Sequence, residues 1–161
     1  MTNADIVGHV NRAIKLLTLE KRPLQPDASE RSFAHRLAVH MEPLFPGWDI
    51  DCEYNRFGML TKELEGIKGC DEQKRTDRIY PDIIVHERTN ESCIQRNLLV
   101  VEIKKRNTCD ACDKKKLELL TAESGTFKYQ VGLYVNIEEK EIKRTWYKGG
   151  SEVDESVLIA A

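Results

Sequence analysis

The sequence lacks any stretch of 18 consecutive apolar residues, so it predicts no membrane-spanning helix. Residues 1–19 also lack the continuous apolar segment of a signal peptide, which makes the cytoplasm the expected location. Internal repeats and low-complexity tracts are absent as well. What is present is an ordinary soluble composition of 161 residues, 40% apolar and 32% charged, which suits one domain with a single core.

The chain also lacks the excess positive charge of a protein that binds nucleic acid over its whole surface. Its formal net charge is −2, so any surface for nucleic acid has to be local. The runs 104–106 and 114–116 are basic and offer such surfaces, although runs of this kind are commonly solvated faces.

Cysteine is scarce and its count is odd, which argues against a disulfide framework. The chain has five cysteines and no secretory context, so reduced thiols are expected. Cys109 and Cys112 form one CxxC motif, but no second CxxC exists. A zinc site would need two more ligands, for which Cys70 or Cys93 are candidates, and a solvent-exposed thiol pair is the competing interpretation.

Periodicity predicts an α/β chain in the order α-α-β-β-β-α-β-β. A helix is predicted over residues 3–20, and a second begins near Asp27–Glu30, where Asp27 and Glu30 have the spacing of a capping box. The remaining predicted elements are strands at 48–56, 79–86, 98–104, 131–137 and 143–147 and a helix at 114–123. The tail after Gly149 is predicted to be loose.

Two of these strands carry charges where a core is expected. YPDIIVH places Asp82 in an apolar run, and NLLVVEIKK places Glu102 and Lys104 in another. Apolar strands normally exclude ionised side chains, because removing a charge from water costs several kcal/mol without compensation. Residues two apart in a strand share a face, so Glu102 and Lys104 project together. If the two strands pair as a hairpin, Asp82 can face Glu102.

Two facing carboxylates offer the hard oxygen ligands that suit Mg²⁺ or Mn²⁺. Such an ion polarises a phosphoryl oxygen and activates a water, and Lys104 would position that water or stabilise the growing negative charge. Solvated strand ends are the competing interpretation, because Pro81 precedes Asp82 and Lys105 and Arg106 follow the second strand.

The pair PD at 81–82 and EIK at 102–104 resembles the signature of the PD-(D/E)XK nuclease superfamily. The segments around it are also similar to small, uncharacterised single-domain bacterial members, over roughly residues 28–137. Those segments are SERSFAHRLAVHMEPLF, DIDCEYNR, YPDIIVHER and NLLVVEIKK. The resemblance implies a restriction-endonuclease-like three-layer fold, with a mixed sheet of four or five strands flanked by helices. It places the nuclease-like core at about 28–148.

By this resemblance the protein is expected to be a Mg²⁺- or Mn²⁺-dependent endonuclease that acts on nucleic acid, with DNA favoured over RNA. Asp82, Glu102 and the backbone carbonyl of Ile103 would be metal ligands, and Lys104 the catalytic lysine. Glu30 matches a further carboxylate on the first core helix, although a role in capping that helix is an equal alternative.

Substrate contacts are expected from Lys105, Arg106 and Arg56, of which the last belongs to the similar segment DIDCEYNR. Because one site cuts one strand, a homodimer is a further hypothesis. The main alternative function is a catalytically silent nuclease-fold module for binding or assembly. A zinc-stabilised domain built on Cys109 and Cys112 is the third hypothesis.

Overall fold

The structure is a computed structural model, and it describes residues 1–20, 28–64, 78–89, 96–105, 111–138 and 141–160. Its helices are α1 Asn3–Thr18, α2 Glu30–Met41, α3 Ala111–Thr121 and α4 Glu155–Ile159, with a 3-10 turn at Glu42–Leu44. Its strands are β1 Asp49–Cys52, β2 Arg56–Phe57, β3 Leu60–Thr61, β4 Ile83–His86, β5 Asn97–Lys105, β6 Val131–Ile137, β7 Ile142–Lys148 and β8 Ser151–Val153.

Six strands form one mixed sheet in the order β1-β4-β5-β6-β7-β8. The β5–β6 pair is parallel, and all the other pairs in this sheet are antiparallel. Strands β2 and β3 form a separate hairpin. The α/β class is therefore confirmed, and the sheet has one strand more than the expected four or five.

Helices cover both faces of the sheet. On one face, α1, α2 and α4 pack on β-strand residues such as Val85, Val101 and Val135. On the other face, α3 packs through Leu117 and Leu120. Strand β5 lies in the middle, and its residues 98–103 are at most 3% exposed, as a central strand covered on both sides requires.

Helix α1 begins as its sequence predicts. The Thr2 hydroxyl accepts a hydrogen bond from the Asp5 backbone N–H, and the Asp5 carboxylate accepts one from the Thr2 backbone N–H, which completes a capping box. The helix then buries one stripe against the sheet. With 16 residues α1 is the longest described helix, and none of the described helices is long and apolar enough to cross a membrane.

The predicted capping box at the start of α2 is wrong. Ser29 is the N-cap, and its hydroxyl accepts a hydrogen bond from the Ser32 backbone N–H. Glu30 is therefore the first residue of α2 and not the third, and its side chain is available for other contacts. Asp27 lies outside the described residues. Ser29, one residue before the helix, therefore takes the N-cap role that was predicted for Asp27.

The predicted strand 48–56 is too long. Strand β1 ends at Cys52, and Glu53 has a positive φ of 51°, which takes the chain out of the sheet. The two predicted faces also differ from the structure, because Cys52 is exposed while Asp51 is largely buried. Asp51 is drawn inward by His86 on the adjacent strand, since their side chains form a hydrogen bond of 2.8 Å.

The predicted loose tail after Gly149 is also wrong. Strand β8 pairs with β7, and α4 places Leu158 in the core with no exposed surface. The Glu155 carboxylate accepts hydrogen bonds from the Asn11 amide at 3.0 Å and from the Trp146 indole N–H at 2.9 Å. Elements of three and five residues are too short to show a period, so the pattern did not reveal them.

Candidate functional site

The hairpin formed by β4 and β5 brings the predicted carboxylates together. The strands pair with Ile83 opposite Val101, and one further step in this register places Asp82 beside Glu102. Asp82 immediately precedes β4, and its carboxylate accepts a hydrogen bond of 2.6 Å from the Ile103 backbone N–H. Asp82 is thus fixed at the start of its strand by the strand that carries Glu102.

Lys104 also points into this region and not into open solvent. Its ammonium lies 3.2 Å from Asp113 Oδ2 and 3.6 Å from Glu30 Oε2. Burial lowers the pKa of Lys104, but the facing carboxylates of Asp113 and Glu30 outweigh this effect, so the pKa is raised. The two facing carboxylates therefore favour the protonated form of Lys104.

Glu30 reaches β5 from the start of α2. Its Oε1 accepts a hydrogen bond of 2.8 Å from the Lys105 backbone N–H, and its Oε2 faces Lys104. Of the two roles considered for Glu30, the structure thus supports a contact with the strand that carries Glu102. All four predicted side chains, Glu30, Asp82, Glu102 and Lys104, meet in one region.

Two residues that the sequence did not single out complete the group. Asp113 and Lys116 lie on α3, and the Lys116 ammonium is 2.6 Å from Asp113 Oδ1 and 3.6 Å from Glu102 Oε2. The predicted helix begins at residue 114, and for the lysine run 114–116 the sequence left open a local surface for nucleic acid or, more commonly, a solvated face. The missed signal is helical spacing: Asp113 and Lys116 lie four residues before the inward Leu117 and Leu120. The carboxylate–lysine cluster consists of Glu30, Asp82, Glu102, Lys104, Asp113 and Lys116.

Glu102 is the most enclosed member of this cluster. Its side chain is only 4% exposed, and its Oε1 has no hydrogen-bond partner among the described residues. Oε2 has the Lys116 ion pair at 3.6 Å, which is longer than a hydrogen bond. Burial raises the pKa of Glu102 well above its ordinary value, and the neighbouring Asp82 and Asp113 carboxylates add to this effect.

Asp82 connects the cluster to the surface. It lines an open cleft of about 170 Å³, together with residues of α2, β1 and the turn that follows β1. The other lining residues are Arg31, Ala34, Cys52 and Glu53. Burial raises the pKa of Asp82 to about 6, although the Ile103 N–H and the Lys104 ammonium act in the opposite direction.

Glu53 forms the far side of this cleft in an unusual conformation. Its φ of 51° is rare for a residue other than glycine, and such conformations cluster at functional sites. Its backbone N–H donates a hydrogen bond of 3.3 Å to the Asp82 carbonyl, and its carboxylate pairs with Arg31 at 2.6 Å. The cleft therefore has one cation, Arg31, placed near Asp82 and open to solvent.

The charge balance of the cluster favours a divalent cation. Four carboxylates face two ammonium groups, so the fully ionised cluster carries an excess of two negative charges in a largely buried place. The unpartnered Glu102 oxygen and the hard carboxylate donors fit Mg²⁺ or Mn²⁺. Within the described ranges no three Asp, Glu, His or Cys side chains form a ready-made metal site, and two lysines have ion pairs with these carboxylates.

The structure connects the remaining predicted site residues less directly to the carboxylate–lysine cluster. Lys105 is half-buried, and its ammonium donates a hydrogen bond to the Ala28 carbonyl. Arg106 lies outside the described residues, and Arg56 is exposed on the separate β2–β3 hairpin, where it makes none of the described contacts with the cluster. The metal-ligand role of the Ile103 carbonyl stays a prediction.

The structure neither supports nor contradicts a zinc site at Cys109 and Cys112. Cys112 is half-buried on α3, whereas Cys70, Cys93 and Cys109 all lie outside the described residues. The zinc hypothesis therefore stays a prediction.

Comparisons with known proteins do not assign the chain to a family. No family model matches the sequence, and the search of curated proteins gives no match. One solved structure, that of SSO0001, aligns over 99% of this chain and 71% of its own, with 16% identity and a TM-score of 0.35. A similarity of that size carries no argument about fold or function, so the functional argument depends on the site itself.

Proposed function

We propose that this protein is a metal-dependent nuclease that hydrolyses phosphodiester bonds, with DNA as the favoured substrate. The observation that carries the proposal is the buried Glu102 carboxylate, whose Oε1 has no hydrogen-bond partner among the described residues, beside Asp82, which lines the cleft. Most buried polar groups are satisfied in native structures, and a bound cation would satisfy a buried carboxylate oxygen that lies among further carboxylates.

Asp82 and Glu102 would hold the ion, with Glu30 as a further carboxylate at the edge of the cluster. Bound Mg²⁺ or Mn²⁺ would supply charge stabilisation at a phosphoryl oxygen and a more acidic water. Lys104, kept protonated by Asp113 and Glu30, would stabilise the negative charge that grows on the phosphate. Arg31, which is 82% exposed at the mouth of the cleft, would contact the phosphate backbone.

The direct test is a cleavage assay with three purified proteins: wild type, Asp82→Ala and Asp49→Ala. Asp49 is the matched control, because it is a half-exposed carboxylate on the neighbouring strand β1 and lies outside the cluster. We expect cleavage by wild type and Asp49→Ala with Mg²⁺ or Mn²⁺, and a loss of at least about a hundredfold in Asp82→Ala.

The substrates should include single-stranded, duplex and branched DNA together with matched RNA, each with Mg²⁺, with Mn²⁺ and with a chelator. A folded wild-type protein that stays inert on all of them would overturn the nuclease proposal. Cleavage of both strands at one position would support a homodimer, and elution at the monomer mass would contradict it.

The second candidate function is the catalytically silent module for binding or assembly. The observation that favours it is the position of Lys104 and Lys116, which already neutralise part of the cluster without any ion. The two candidates differ in their need for metal. Calorimetry that detects Mn²⁺ binding to wild type and its loss in Glu102→Gln would exclude a purely structural cluster.

A further inference from the structure

The position of Lys116 has a consequence for how a cation reaches Glu102. The Lys116 ammonium is the only described cation within ion-pair distance of the Glu102 carboxylate. The same ammonium lies closer to Asp113 than to Glu102. Its distance to Asp113 Oδ1 is 2.6 Å, and its distance to Glu102 Oε2 is 3.6 Å. The first contact is a hydrogen bond and the second is an ion pair without one.

Asp113 is arranged to hold two ammonium groups at once. Its Oδ1 accepts from Lys116 and its Oδ2 lies 3.2 Å from Lys104, while its side chain is only 7% exposed. Both lysines therefore have a firm partner that is not Glu102. If Lys116 moves away from Glu102, it keeps the Asp113 hydrogen bond, so its own charge retains a partner and only Glu102 needs a replacement cation.

We propose that Lys116 is a built-in counter-cation that neutralises Glu102 in the metal-free protein and is displaced from Glu102 when a divalent cation binds. Asp113 is the positioning residue that retains Lys116 after this displacement. The role explains why α3 inserts a lysine among carboxylates that otherwise fit a metal.

This inference rests on the proposed function, because it requires a cation at Glu102. It goes further in assigning α3 a part in controlling metal affinity, with Lys116 competing against the ion. A lysine that competes with the ion lowers metal affinity, whereas a lysine that only supports the fold leaves it unchanged.

The test is Mn²⁺ titration by calorimetry on wild type, Lys116→Met and Lys115→Met. Methionine keeps an unbranched side chain that is one heavy atom shorter and removes the charge. Lys115 is the matched control, since it is the preceding residue of α3, its side chain is 51% exposed and it pairs with Glu118. We expect Lys116→Met to bind Mn²⁺ about tenfold more tightly than wild type and Lys115→Met to bind as wild type does.

A second readout uses thermal unfolding in Mn²⁺ and in chelator. Without metal, Lys116→Met should melt at a lower temperature than wild type, because Glu102 and Asp113 lose their shared cation. Mn²⁺ should raise the melting temperature of Lys116→Met by more than that of wild type. Lys116→Arg, which keeps the charge, provides a folded comparison if Lys116→Met does not fold, and it should bind Mn²⁺ no more tightly than wild type.

The outcomes separate this inference from the proposed function. If wild type binds Mn²⁺, Glu102→Gln does not, and Lys116→Met binds with unchanged or weaker affinity, the competition by Lys116 is overturned while the metal site stands. If Lys116→Arg binds more tightly than wild type, competition by charge is overturned as well. If no variant binds Mn²⁺, the proposed metal site itself fails.

Discussion

Two charged clusters lie at opposite ends of the short strand β4, and they differ in how their carboxylates are satisfied. At one end, Asp51 accepts hydrogen bonds from His86 at 2.8 Å and from Arg88 Nε at 2.9 Å, with a further contact from the Arg88 guanidinium. At the other end, Asp82 accepts one described hydrogen bond and Glu102 accepts none.

The pKa values reflect this difference. Burial alone would raise the pKa of Asp51, but the hydrogen bonds from His86 and Arg88 outweigh burial and lower it to about 2. Burial prevails at Asp82 and raises its pKa to about 6, and it raises that of Glu102 as well. Both ends of β4 carry buried carboxylates, so the difference comes from the partners.

This comparison separates a carboxylate that is satisfied by its own side-chain partners from the carboxylates of the proposed metal site. The Asp51 cluster is complete and stabilises the fold at neutral pH. The carboxylate–lysine cluster places carboxylates where their ionised form is costly, and a bound cation would reduce that cost. The difference is measurable, because the two clusters should respond in opposite ways to mutation, pH and metal.

The largest expected effect is that of Asp51→Ala. This change removes the acceptor of the buried His86, and breaking a buried pair by removing one partner costs about 3–5 kcal/mol. We expect the free energy of unfolding at pH 7, measured by urea denaturation, to fall by that amount. Asp51→Asn keeps one acceptor oxygen and should lose less.

The matched change is Asp49→Ala on the same strand. Asp49 accepts from the Arg88 backbone N–H, but its side chain is 39% exposed, so we expect a loss of about 1 kcal/mol or less. Equal losses for Asp49→Ala and Asp51→Ala would show that the Asp51 cluster is no more important to the fold than an exposed carboxylate.

The second prediction concerns the pH dependence of stability in wild type and Asp82→Asn. The pKa of Asp82 rises from 3.8 to about 6 on folding, so the folded state holds this proton more tightly. The contribution of Asp82 is fully present below about pH 4 and is lost as the pH rises through about 6. The stability of wild type relative to Asp82→Asn should therefore fall by at most about 3 kcal/mol between pH 4 and pH 7.

The opposite sign is expected for Asp51, whose pKa falls from 3.8 to about 2 on folding. Its contribution is present above about pH 4 and is lost as the pH falls toward 2. Urea denaturation of wild type, Asp82→Asn and Asp51→Asn at several pH values checks both signs. A difference between wild type and Asp82→Asn that does not change with pH would remove the distinction between the clusters.

The sequence predicted strand β5 closely, whereas the predicted strand 79–86 begins four residues too early, because β4 starts at Ile83. A continuous apolar run with two charges indicated that β5 is a central strand, and the same-face spacing of Glu102 and Lys104 indicated that both point to one side. The antiparallel pairing of β4 with β5 then brings Asp82 next to Glu102, as expected. Strand periodicity is enough for these statements because it fixes the face of every side chain.

The α3 part of the site was not predicted, for a physical reason. Helical spacing shows which residues lie on the same side of a helix. In a helix with many charges, it does not show which side faces the core. Lys116 lies among three consecutive lysines, and their solvation differs only because α3 packs over β5. The Asp51–His86 pair was missed similarly, since it depends on the register between β1 and β4.

The smallest expected effect is the stabilisation of the protein by Mn²⁺. A ligand at ten times its dissociation constant stabilises the folded state by about 1.4 kcal/mol. We expect a corresponding rise in the melting temperature of wild type and of Asp51→Asn. Glu102→Gln removes the charge of the enclosed carboxylate and should show no rise. Thermal unfolding with Mn²⁺ and with chelator measures it. A gain in Glu102→Gln equal to that of wild type would place the ion elsewhere, and the unpartnered Glu102 oxygen would then have to be explained without a cation.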